Sequence, residues 1–207
     1  MFKLPRMFTS AVLALSLLTS SAMALAGPTY HVTLDTSAYS GSNGNIDFLL
    51  LAANGATGAS AVVSNYVGQL GASADAFGAV AGALPGPLTL TNADGTNEFY
   101  QSVIFSKMIS FDVAFFGDFL NTVGADASSF TIALLNQAGD AYLGTGPGIN
   151  QVEFSLTPMS SGLAGSVMFT ATDAGANVAV VPEPSALLLM VAAIGLMGLM
   201  LRRRAQG

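Results

Sequence analysis

The chain has 207 residues, with 52% hydrophobic and only 9% charged side chains, and neither cysteine nor tryptophan. Without cysteine there are no disulfides and no thiolate metal or redox centres. A net charge of −6, with no basic cluster between the two ends of the chain, excludes a nucleic-acid-binding surface.

The chain opens on "MFKLPRMFTSAVLALSLLTSSAMALA". Lys3 and Arg6 precede an apolar stretch from Ala11 to Leu18, and small residues follow. Ala22-Met23-Ala24 and Ala24-Leu25-Ala26 both fit the A-x-A cleavage rule, so residues 1–26 read as a signal peptide. Signal peptidase is expected to cut after Ala26 and leave Gly27 first.

Residues 27–181 form one predicted domain, long enough to build its own core. One base, Lys107, stands there against eleven acids, a formal charge of −10. "TYHVTLD" sets Tyr30, Val32 and Leu34 on one face and His31, Thr33 and Asp35 on the other. "NIDFLLLA" alternates in the same way after a predicted Asn43-Gly44 turn. The style recurs in "SAVVSNYVGQL", "PLTLT", "NEFYQSVIF", "KMISFDVAFF", "SFTIALLN", "QVEFSL" and "SVMFTAT". Period-two alternation of β-branched and aromatic residues predicts strands with one wet face. Turns are expected at Asn92–Gly95, Gly139-Asp140 and Gly144–Gly148. Eight or nine such strands predict an all-β domain, an antiparallel β-sandwich or jelly roll. Val32, Leu34, Phe48, Val103, Phe105, Phe111, Val113, Ile132 and Phe154 are expected to face inward. The alanine- and glycine-rich stretch from Gly68 to Pro87 reads as a short helix near Ala74–Val80 or a long loop.

Catalytic patterns are sparse. His31 is the single histidine, and no G-x-S-x-G elbow presents a serine to it. On the polar face of an edge strand it reads as a solvated side chain. No pair among the acids is marked out for glycoside hydrolysis, and no phosphate-binding loop or histidine cluster occurs. The expectation is a non-enzymatic domain without cofactor. "NADGTNE" offers Asp94, Asn97 and Glu98 as a weak calcium turn that departs from the EF-hand spacing. Tyr30, Tyr39, Tyr66, Tyr100 and Tyr142 are the aromatics a carbohydrate-binding alternative would use. Most of them sit at strand spacing, where a core or half-buried place is expected.

The chain closes on "VPEPSALLLMVAAIGLMGLMLRRRAQG". Ser185 to Leu201 carries no charge, which predicts a short membrane-spanning helix. Arg202, Arg203 and Arg204 follow at once, predicting a cytoplasmic end.

Val181-Pro182-Glu183-Pro184, the apolar span and the arginine cluster, in that order, resemble the PEP-CTERM sorting signal of Gram-negative bacteria. The resemblance covers residues 182–207 with the valine before them. It implies an exosortase partner, a transient inner-membrane anchor, and release to the cell surface or matrix, with exopolysaccharide as a further partner. Separately, the abundant serine and threonine of the body offer positions for O-linked sugar. "YHVTLDTSAYSG", "LPGPLTLTN" and "SFDVAFFG" also resemble stretches of short PEP-CTERM surface proteins, a group without an assigned activity, which implies the same fold and place only.

Overall fold

The structure, a computed structural model, describes residues 27–144 and 150–182. The predicted signal peptide with Ala24 and Ala26, Glu183, Pro184, the oily span and Arg202–Arg204 all lie outside those residues, as does most of the predicted Gly144–Gly148 turn. Twelve strands run in chain order: β1 Thr29–Asp35, β2 Asn43–Ala52, β3 Ser60–Val67, β4 Gln69–Phe77, β5 Val80–Gly82, β6 Leu88–Thr91, β7 Thr96–Ile104, β8 Met108–Phe116, β9 Ser128–Asn136, β10 Val152–Thr157, β11 Ser166–Ala171 and β12 Ala176–Val181. They form two six-stranded antiparallel sheets, β12-β1-β8-β3-β6-β5 and β11-β10-β9-β2-β7-β4. The described residues thus form an all-β sandwich, and no helix among them is long and apolar enough to cross a membrane.

Alternation decides which side chains meet between the sheets. All nine expected inward residues are in the core. The first sheet contributes Tyr30, Phe111 and Phe115, the second Phe48, Phe130 and Phe154, and their rings interlock. Phe115 and Phe154 stand 5.0 Å apart and Phe48 meets Phe111 edge-on at 5.3 Å. Offset and edge-on contacts of this kind add to the area they bury.

Several expectations are corrected. Gly68–Pro87 holds strands β4 and β5 in place of a helix or loop. Its alternation is hidden because β4 lies at the edge of its sheet, exposed along most of its length, and breaks register between Leu70 and Ala74. Gln101 Nε2 donates to the carbonyls of Gly71 and Ser73, and Ser102 Oγ bonds Ser73, so side chains of β7 hold the bulge. Asn43-Gly44 is no turn; it opens β2, opposite Ile104 and Val103. Glycine is needed there for closeness: a Cβ at Gly44 would lie 2.1 Å from the Phe105 ring and 2.6 Å from the Leu135 carbonyl. The reversal comes earlier, at Ser37–Tyr39 and Gly41. β12 is a further strand that alternation did not reveal. The Asn92–Gly95 and Gly139-Asp140 turns stand where expected.

Candidate functional site

His31 is not on an edge strand, because β1 lies between β12 and β8. Nor are Thr33 and Asp35 its partners. The register sets it opposite Asp112, and Nδ1 lies 2.7 Å from Asp112 Oδ1. Asn65 Nδ2 donates to the other carboxylate oxygen at 2.7 Å. Asn65 has a positive φ of 53° inside an irregularity of β3, a conformation asparagine tolerates better than most residues. This cluster ties β1, β8 and β3 together on an open sheet face, with the histidine side chain half exposed.

The calcium turn is divided by the sheet. Asn97 is fully buried; its Nδ2 donates to the Asp94 and Leu50 carbonyls, and its Oδ1 accepts from the Ala79 N–H. Glu98, the next residue along β7, points to the opposite face. Among the described residues no three His, Cys, Asp or Glu side chains gather to hold a metal.

The outer face of the second sheet brings together groups that spacing alone did not. Cross-strand pairing sets Asp75 beside Tyr100 and Phe77 beside Glu98. The four form a square with aromatics on one diagonal and carboxylates on the other, around a cleft of about 150 Å³. On the far side of Tyr100 stands Asp47 of β2. A Cβ at Gly139 would come 2.5 Å from the Tyr100 hydroxyl. Gly139 follows β9, beyond β2, so the Tyr100 ring lies across β2. Asp47 is buried beneath, 8% exposed, with Oδ1 lacking any hydrogen-bond partner. Burial, then the charge of Glu98, pushes its carboxyl up to about 7. Burial, then the charge of Asp47, likewise raises the Tyr100 phenol. Phe77 in the square and Tyr142 near it are exposed, while Tyr30 and Tyr66 belong to the core.

The domain's two glutamates are far apart. Glu153 on β10 and Glu98 on β7 are separated by two intervening strands, about 14 Å at ordinary strand spacing. Asp47 is nearer to Glu98 but lies covered. The larger depression of about 480 Å³, between Leu51, Thr96 and Ser155, is lined by no titratable side chain.

The last described residues carry the other feature. β12 pairs with β1 so that Val181 faces Thr29 and Val180 faces Tyr30. Val181 ends the strand and Pro182, which has no N–H to extend a ladder, follows. At the same corner Gly27 is buried against the Phe115 carbonyl, with no room for a Cβ. Both ends of the sandwich therefore leave it at one pole.

Compared with known proteins, residues 180–204 match the family described as the PEP-CTERM protein-sorting motif. No curated protein and no solved structure matches. The motif marks an exported protein that an exosortase processes, and its matched span begins inside β12.

Proposed function

We propose that this bearer of a PEP-CTERM sorting motif is a non-enzymatic protein of the cell surface or extracellular matrix. Signal peptidase frees its N-terminus at Gly27, and the apolar tail holds it briefly in the inner membrane. Exosortase then releases the sandwich to work among exopolysaccharide and in biofilm, with serine and threonine available for glycosylation. The observation that carries this reading is the matched motif running on from β12 without a linker. Mass spectrometry of the protein from its native cell tests it. The expected termini are Gly27 and a residue near Pro182–Pro184; abundant released protein retaining Ser185–Arg202 would overturn it.

A second reading, that the sandwich itself binds carbohydrate, is favoured by the aromatic and acidic square on the second sheet. Flat rings cover sugar faces, and carboxylates accept from sugar hydroxyls or ammonium groups.

A further inference from the structure

We propose that the cleft between Asp75, Phe77, Glu98 and Tyr100 binds an amino sugar in its cationic, non-acetylated form, an inference that rests on the carbohydrate-binding reading and narrows it to one chemical class. Two features of the square select the ligand. The Phe77–Tyr100 diagonal offers apolar ring faces, and Phe77 is 65% exposed at the end of β4. The Asp75–Glu98 diagonal offers two carboxylates with no cation among the described residues beside them. Lys107, the only base of the described residues other than His31, lies in the β7–β8 turn, and His31 is on the other sheet.

Asp47, on the far side of Tyr100 and outside the cleft lining, adds a third acid to this face of the sheet. It is more than nine-tenths buried beneath Tyr100, its Oδ1 has no donor, and Glu98 is close enough to disfavour its ionisation. An ammonium group in the cleft would complement Asp75 and Glu98 directly and offset the field that Glu98 imposes on Asp47. A pyranose ring carrying that ammonium would set its C–H face on Tyr100 or Phe77, where cation–π attraction adds to the carboxylate contacts. A bare metal ion fits poorly, since among the described residues no three ligating side chains gather. An acidic polysaccharide is repelled by a body of formal charge −10.

Isothermal titration of the full-length protein, in a detergent without a sugar headgroup, separates the possibilities. The probes are a tetramer of β-1,4-linked glucosamine, its fully N-acetylated counterpart, and spermidine. The expected result is that the glucosamine tetramer binds at least about tenfold more tightly than either other probe. Glu98→Gln and Phe77→Ala should each weaken it by roughly tenfold. Both positions are at the surface, and circular dichroism checks that each variant stays folded. Equal or tighter binding of the acetylated tetramer would overturn the cationic assignment and leave the carbohydrate reading standing. Equal binding of spermidine would reduce the site to unspecific charge and overturn both. Absence of binding by any probe would do the same.

Discussion

Asp47 carries the clearest local conflict in the molecule, a carboxyl buried under a tyrosine ring beside a second acid. Its folded-state value of about 7 lies above the ordinary 3.8, so the folded state holds the proton over that interval while the unfolded chain loses it. Stability from this group is therefore complete below about pH 4, declines as pH rises towards 7, and is flat above. Asp47→Asn keeps the shape and removes the charge. It should flatten that part of the profile and raise stability at pH 8 by about 1–3 kcal/mol, read from urea unfolding at pH 4, 6 and 8. Tyr66 presents a milder case. Its hydroxyl is buried without a partner, burial pushes its phenol up to about 12, and its ring stacks on Phe111 at 6.3 Å. Tyr66→Phe should leave the midpoint unchanged or raise stability by about 1 kcal/mol. Neither environment was legible in the sequence. Alternation told which face Asp47 and His31 occupy, but their neighbours come from pairing registers: Asp47 with Tyr100, and His31 with Asp112, 81 residues away. No local pattern encodes such a register.

Among the strands, those at sheet centres were readable, while at the edges β11 was read from "SVMFTAT" and β4 and β12 were not. β1, β7 and β8 have a core on one side and neighbours on both flanks, so their burial forces an apolar–polar rhythm. β4 and β12 have one flank free and side chains mostly exposed, which relaxes the demand on sequence. The small residues of Gly71–Ala74 reflect the bulge that Gln101 and Ser102 hold, and alanine there mimics helix propensity. Gly44 misled in the opposite sense: a turn-forming pair by composition serves a strand that must approach Phe105 and Leu135 closely. Gly44→Ala should cost about 2–4 kcal/mol, because ring and carbonyl must both move. A shift of less than 1 kcal/mol in denaturant unfolding would show that the Phe105 ring swings aside freely.

For the whole molecule, the pairing of the first and last described strands closes one sheet and sets where the sorting motif leaves it. β12 covers the flank of β1, and Val178 packs against the core. A chain stopped after Gly175 should therefore lose about ten degrees or more in melting temperature, measured by scanning calorimetry against the chain ending at Pro182. The aromatic core and the sandwich class followed from the sequence, as did the sorting signal. That signal and sandwich share a strand did not, since no alternation marks β12 in the sequence. The same pairing has a mechanical consequence. Thr29 and Val181 are directly opposed at the end where both termini depart. A pull applied between those termini loads the ladder one rung at a time, as in peeling tape, and never shears all rungs together. A domain tethered at this corner resists stretching weakly along that axis, and its earliest yielding uncovers Pro182 and the residues of β12 before the aromatic core is disturbed.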